Sequence, residues 1–87
     1  MVSQKVVIMN PTGLHLRPAG VLCNEAMKFP CKVTFRHGND VSNAKSVLSV
    51  LGACIKSGSE IELICEGEDE EAALQSLVHA VESGLGE

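Results

Sequence analysis

The chain has 87 residues, of which 45% are hydrophobic, with two Phe and no Trp or Tyr, and its formal net charge at pH 7 is −4. This length predicts one domain, residues 1–87, with a thin aliphatic core, and the scarcity of aromatic residues and of clustered positive charge argues against direct binding to nucleic acid. No run approaches the roughly 20 apolar residues of a membrane span and no secretory signal pattern is visible, so we expect a cytoplasmic protein without membrane insertion.

The first half of the chain predicts a strand, a turn, a helix and a hairpin. Residues 2–9 read as a strand that leads into turn residues at 10–13. A helix is predicted to follow His15 and to end before Pro30, and its apolar stripe has the spacing of a core-facing helix, with Ala19, Leu22, Cys23, Ala26 and Met27. Residues 31–36 alternate between apolar and polar, and a turn then leads to a short strand around Val41, which predicts a hairpin.

The second half predicts a short helix, a strand and a longer helix. Ser46 is the expected N-cap of a helix that ends near Gly52 or Cys54. Residues 60–65 alternate, with an apolar face formed by Ile61, Leu63 and Cys65. The last helix opens on the acidic run at 68–71, which suits a helix N-terminus, and its stripe consists of Leu74, Leu77, Val78 and Val81. The order β-α-β-β-α-β-α predicts an α+β domain with helices on one face of a sheet.

His15 is the most informative residue because it lies where the first helix begins. Pro18 falls in the first turn, where a helix tolerates proline best. The first N–H groups of a helix have no internal partner and the helix dipole is positive there, so the place suits an anion. A neutral imidazole can accept and release a phosphoryl group. We therefore predict that His15 carries phosphate, with the Arg17 guanidinium and the N–H groups of Leu16 and Arg17 facing the phosphate oxygens. Thr12 is interpreted as a turn residue, with a phosphate contact as the alternative.

Two segments of the chain have the form of family motifs: Gly13-Leu14-His15-Leu16-Arg17-Pro18-Ala19 and Asn43-Ala44-Lys45-Ser46-Val47-Leu48. They closely resemble the defining motifs of the HPr family, the histidine-containing phosphocarriers of the bacterial phosphoenolpyruvate:sugar phosphotransferase system. The resemblance spans the whole chain. It implies an open-faced β-sandwich, with a four-stranded antiparallel sheet and three helices on one face.

The same resemblance implies a carrier that is not itself an enzyme. His15 would take a phosphoryl group on Nδ1 from enzyme I and pass it to enzyme IIA domains of sugar permeases. Ser46 would be a regulatory phosphorylation site of an HPr kinase/phosphorylase, in the Gram-positive manner, and phospho-Ser46 could serve a catabolite control protein. No cofactor or metal is implied, and we expect a monomer.

One departure from the family pattern bears on partners, because Leu16 stands where the family usually has Ala. Val47, Leu48, Val50 and Leu51 cannot all point inward from so short a helix, so we expect at least one to be exposed beside Ser46; the alternative is that all belong to the core. The predicted docking patch combines both helices and consists of Leu16, Gly20, Asn24, Val47, Leu48 and Leu51.

The charge distribution leaves two interpretations open. All seven Lys and Arg residues lie at or before Lys56, and nine of the eleven acidic residues lie at or after Glu60. This asymmetry is typical either of ordinary solvated surface or of a positive end that steers an acidic or phosphorylated partner. The four cysteines form no C-x-x-C pair, and we interpret them as reduced, mostly packed thiols rather than a disulfide or metal site.

Two other functions compete with the sugar-transport carrier. The first is an HPr paralogue with the same histidine chemistry and a mainly regulatory role in carbon or nitrogen signalling. The second is a small ligand- or metal-binding module without phosphoryl chemistry. Phosphorylation by enzyme I distinguishes the second from both carriers, and transport complementation distinguishes the two carriers from each other.

Overall fold

A computed structural model gives the fold of all 87 residues, Met1–Glu87. Seven elements follow one another in the predicted order: β1 (Val2–Val7), α1 (Leu16–Met27), β2 (Lys32–His37), β3 (Asp40–Asn43), α2 (Val47–Gly52), β4 (Glu60–Glu66) and α3 (Glu70–Glu82). The four strands form one antiparallel sheet in the order β1-β4-β2-β3. The predicted open-faced α+β fold is confirmed.

One face of the sheet carries the core because side chains alternate along each strand. Phe35 of β2 lies opposite Leu63 of β4, and both are fully buried. The neighbours of Leu63 along β4, Glu62 and Ile64, lie on the other face and are only half-buried. The helices cover the buried face with aliphatic side chains that include Leu22, Ala26, Leu77 and Val81.

Two predicted details are wrong at the ends of elements. β1 ends at Val7 rather than Met9, because Ile8 is already bonded to the loop before β4: its N–H donates to Ser59 O at 2.9 Å and its carbonyl accepts from Gly58 N–H at 2.7 Å. Met27 is 62% exposed and does not belong to the core stripe of α1. Each step of four residues turns a helix by about 40° beyond a full revolution, so a stripe through Cys23 leaves the core at Met27.

The partly buried carboxylate of Glu25 links α1 to α3. Ser76 Oγ of α3 donates to Glu25 Oε2 at 2.5 Å, and Lys28 Nζ pairs with Glu25 Oε1 at 3.1 Å. The hydrogen bond from Ser76, followed by that from Lys28, holds the pKa of Glu25 below its usual value. The C-terminal part of α1 is therefore anchored independently of the helix start.

The cysteines agree with the interpretation of packed thiols, with one exception. Cys23, Cys31 and Cys65 are buried and free, whereas Cys54 is exposed. Burial, and next the neighbouring Cys31, raises the pKa of Cys65 to about 11, so this thiol stays protonated at neutral pH. No helix of the fold has the length and apolar character needed to cross a membrane.

Candidate functional site

The turn before α1 is packed tightly against the segment that follows α2. Gly13 N–H donates to Asn10 O at 2.9 Å, and Gly13 has a φ of +69°, a region that favours glycine. A Cβ at this position would clash with the carbonyl oxygen of Ile55 and lie 2.9 Å from Lys56 Cα. The same Ile55 oxygen accepts from Leu14 N–H at 3.0 Å. Glycine is therefore required two residues before His15 for the turn to pack in this place.

Hydrogen bonds from Asn10 also connect the turn to residues that follow α3. Asn10 is buried, and its Nδ2 donates to Gly84 O at 2.7 Å and to Glu87 Oε1 at 3.0 Å. Gly84 N–H donates to Val81 O and terminates α3, and Leu85 is buried just after it. The loop that carries His15 is thus held at Asn10 as well as at Gly13.

His15 occupies the N-cap position of α1 but does not act as a cap. Its backbone is extended, with φ −90° and ψ −167°, and its side chain makes no capping hydrogen bond. The imidazole is exposed, and Pro18, which has no N–H, is buried in the first turn. The remaining first-turn donors, the N–H groups of Leu16 and Arg17, have no intrahelical partner. The helix start therefore offers two free donors beside an exposed imidazole.

Arg17 is available to an anion at the same helix start. Its side chain is exposed, and the two ion pairs within the chain, Met1–Glu70 and Lys28–Glu25, do not involve it. A guanidinium without a carboxylate partner can bind phosphate oxygens through two parallel hydrogen bonds.

A surface depression of about 260 Å³ lies beside His15 and connects the turn to the end of α2. We call it the His15 depression; it is lined by Thr12, Leu14, His15, Leu51, Cys54, Ile55 and Lys56. Among the predicted site residues it brings together His15 and Leu51, with Thr12 at its wall. Sequence reasoning missed Cys54, Ile55 and Lys56, because they belong to no motif and reach His15 only through the packing of Gly13.

Ser46 is the N-cap of α2, as predicted. Its backbone is extended, and its Oγ accepts from Ser49 N–H at 3.2 Å. The preceding residue, Lys45, is bound to the end of α1: its Nζ donates to Phe29 O at 2.6 Å, and its carbonyl accepts from Cys23 Sγ at 3.2 Å. Lys45 therefore fixes the start of α2 against α1, a role that its place in the second motif did not reveal.

The predicted docking patch is partly exposed and partly packed. Leu48 is 82% exposed and Leu16 67% exposed, and Asn24 is also exposed. Gly20, Val47 and Leu51 are half-buried, and Val50 is fully buried in the core. The expectation that at least one apolar residue of α2 lies in solvent beside Ser46 is thus met by Leu48, while the alternative of a fully buried α2 is wrong.

Comparisons with known proteins decide the family. A family model described as the PTS HPr component phosphorylation site matches residues 2–83. The chain belongs to the HPr family. The HPr phosphocarrier of Lysinibacillus sphaericus is 36% identical over 100% of both chains. The HPr-like protein Crh of Bacillus subtilis is 38% identical, over 94% of this chain and 96% of Crh.

Solved HPr structures match the fold closely. HPr-C-His from Thermoanaerobacter tengcongensis has a TM-score of 0.96 and 37% identity, over 100% of this chain and 98% of that chain. An HPr dimer from the same bacterium has a TM-score of 0.80, with 37% identity and 100% coverage of both chains. The resemblance to the HPr family is confirmed, and the fold is that of an HPr-type phosphocarrier.

Proposed function

We propose that His15 accepts a phosphoryl group from phospho-enzyme I and passes it to enzyme IIA domains of sugar permeases. The observation that carries this proposal is the open start of α1. An exposed imidazole lies there without a capping bond, beside two free N–H donors and the unpaired Arg17 guanidinium. A phosphocarrier needs this combination, because the phosphoryl group must be held by charge and released again.

The transfer step requires no proton movement through the protein. The lone pair of a neutral imidazole nitrogen, Nδ1 by family resemblance, attacks phosphorus. The bond from phosphorus to enzyme I breaks, and the atom of enzyme I keeps the electron pair. Transfer to enzyme IIA repeats the exchange with His15 as the leaving group. The chain contributes position and charge, through Arg17 and the N–H groups of Leu16 and Arg17.

We propose the docking patch as the surface that receives these partners. Leu16 and Leu48 each lie in the first turn of a helix and expose an apolar side chain to solvent. Exposed apolar groups of this kind are typical of interaction sites. Gly20, Asn24, Val47 and Leu51 complete the surface. Because one chain forms the whole His15 depression, we propose that the transferring species is a monomer.

Ser46 is the proposed regulatory site of an HPr kinase/phosphorylase. A phosphate at this N-cap suits the helix dipole, so the modification need not unfold α2. It would place about two negative charges beside Leu48, in the path of a docking partner, and it would offer a new anionic feature to a catabolite control protein. Regulation then acts through docking rather than through the geometry of His15.

The similarity to Crh favours a second candidate function, a mainly regulatory role in carbon or nitrogen signalling. Crh is described as HPr-like and is as similar to this chain as HPr of Lysinibacillus sphaericus. The two functions share the fold and the Ser46 site and differ in whether phosphate on His15 serves sugar uptake.

Incubation with enzyme I and phosphoenolpyruvate tests the proposal. The expected product has one added phosphoryl mass that acid removes and base does not, as for a phosphohistidine. A folded protein that gains no mass in the presence of active enzyme I would exclude the carrier and favour a module without phosphoryl chemistry. Restored sugar uptake in a strain lacking HPr then supports the transport role, and acid-labile labelling without such rescue supports the regulatory one.

A further inference from the structure

We propose that Lys56 is a second cationic residue of the phosphoryl site, and that its ammonium contacts the phosphoryl group while His15 carries it. This inference rests on the proposed function of His15. Neither motif includes Lys56, which follows α2 by four residues and reaches the site through the fold alone.

The backbone of Lys56 is fixed against the turn that presents His15. Its Cα lies so close to Gly13 that a Cβ there would approach it to 2.9 Å. The preceding residue, Ile55, accepts a hydrogen bond from Leu14 N–H at 3.0 Å, and the Lys56 carbonyl accepts from Ser59 N–H at 3.0 Å. Bonds on both sides therefore hold Lys56 in place relative to His15.

Lys56 lines the same depression as His15 and has no counter-ion. Lys56 is exposed and takes part in neither ion pair of the chain. It is also the only Lys, Arg, Asp or Glu among the seven residues that line the His15 depression. An unopposed ammonium at the wall of such a depression attracts a doubly negative group placed inside it.

Arg17 and Lys56 would hold the phosphoryl group from two sides. Arg17 belongs to the first turn of α1 and does not line the depression, whereas Lys56 approaches from the segment after α2. Lysine is a point charge on a flexible stem, so it can follow the oxygens as the group moves between His15 and a partner. Lys56 remains protonated throughout, and the bonds made and broken are those of the transfer step above.

The experiment measures the phosphorylated protein without any partner. Phosphoramidate, a chemical donor, phosphorylates exposed histidine without enzyme I, and phosphorus NMR follows the titration of phospho-His15. The variants are Lys56→Gln and Lys56→Arg, with Lys32→Gln as the control, since Lys32 is an exposed, unpaired lysine on the open face of the sheet. Lys56 and Lys32 are both exposed, and thermal unfolding verifies that each of the three variants is folded.

Loss of a nearby cation disfavours the more negative form, so Lys56→Gln is expected to raise the pKa of phospho-His15 by about 0.5. Lys56→Arg should restore the wild-type value and Lys32→Gln should leave it unchanged. With enzyme I as donor, Lys56→Gln should lower kcat about threefold to tenfold, the range that roughly 0.7–1.4 kcal/mol of lost stabilisation produces.

Two results would overturn the inference. The first is an unchanged titration of phospho-His15 in Lys56→Gln, which would assign Lys56 to docking if KM alone changes. The second is an equal shift in Lys32→Gln. If enzyme I fails to label even the wild-type protein, the proposed function fails instead, and the chemically phosphorylated form still tests Lys56.

Discussion

Two helices of this fold begin at a residue proposed to carry phosphate, and their starts are built differently. Ser46 closes the start of α2, because its Oγ accepts from Ser49 N–H at 3.2 Å. His15 leaves the start of α1 open, since its imidazole makes no capping bond. A closed cap stabilises a helix, whereas an open one keeps its N–H donors for a ligand. The comparison shows one kind of helix terminus used for stability at one site and for chemistry at the other.

α1 can form without a side-chain cap because it packs against the rest of the protein more extensively than α2 does. α1 has 12 residues and buries five of them, whereas α2 has six residues and buries only Val50. α1 is also fastened to α3 through Glu25 and Ser76. A long, well-packed helix such as α1 is stable without a side-chain cap. We expect the stability of the six-residue α2 to depend on its cap.

The strongest test of the open start is His15→Ala. We expect this variant to accept no phosphoryl group from enzyme I and phosphoenolpyruvate, because the attacking nitrogen is gone. Its free energy of unfolding should stay within about 0.5 kcal/mol of wild type, as for an exposed side chain without structural bonds. Mass spectrometry and urea unfolding measure the two quantities. A labelled variant would contradict the assignment of His15, and marked destabilisation would contradict the open cap.

Ser46→Asp tests whether charge at the closed start affects the open one. We expect transfer from enzyme I to slow by about tenfold, equivalent to about 1.4 kcal/mol, because the carboxylate lies beside the docking patch. Gln75→Glu adds the same charge on an exposed position of α3 and should leave the rate unchanged. Equal rates for Ser46→Asp and wild type would argue against docking at this patch.

Ser76→Ala tests whether the hydrogen bond from Ser76 to Glu25 stabilises the uncapped helix α1. Because the pKa of Glu25 is lowered in the folded state, the hydrogen bond from Ser76 stabilises the protein above the unfolded pKa and loses this effect as pH falls through the folded pKa. We expect the variant to lose about 1.5 kcal/mol at neutral pH and progressively less in acid. Urea unfolding at neutral pH and at a series of acidic pH values measures this loss, and Ser57→Ala serves as a control because Ser57 is exposed and its side chain makes no hydrogen bond. A loss independent of pH would exclude Glu25 as the cause.

Ser46→Ala removes the closed cap without adding charge. We expect it to lower the free energy of unfolding by about 1 kcal/mol, while phosphoryl acceptance at His15 continues. Urea unfolding and labelling by enzyme I separate the two effects. A fully stable variant would mean that the bond from Ser49 N–H contributes little, and the contrast between the two helix starts would disappear.

His15→Ser is the reciprocal change and has the smallest expected effect on the free energy of unfolding. A serine at this N-cap can accept from a first-turn N–H, so we expect a gain of about 0.5 kcal/mol in the free energy of unfolding, together with complete loss of acid-labile phosphate. The comparison with His15→Ala isolates the cap itself. If His15→Ser and His15→Ala have the same free energy of unfolding, a side-chain cap at position 15 does not stabilise α1.

Local signals were sufficient for most of the fold. The alternation at Ile61, Leu63 and Cys65 predicted β4, and the N-cap role of Ser46 followed from its residue type and position, because strands and caps are decided by neighbours in sequence. The assignment of Met27 to the core was wrong, because apolar spacing indicates which face of a helix is buried but not how far along the helix the core extends.

The candidate site was predictable only in part. His15 and Arg17 are adjacent on one helix start, so the sequence alone placed them together. Lys45 contacts Phe29 and Cys23, and Cys54 and Lys56 line the depression beside His15, all at positions distant in sequence from their neighbours. No periodicity in the sequence marks such contacts. Gly13 was the only sequence signal of these contacts. A glycine in a turn is consistent with the close approach of another segment, but it does not identify that segment.

Asn10 is bonded to Gly84 and Glu87, which lie 74 and 77 positions later. Translation proceeds from the N-terminus, so the turn that carries His15 is synthesised long before Gly84 and Glu87. We therefore expect a nascent chain that does not yet include these two residues to display the histidine in a turn that is only partly held in place.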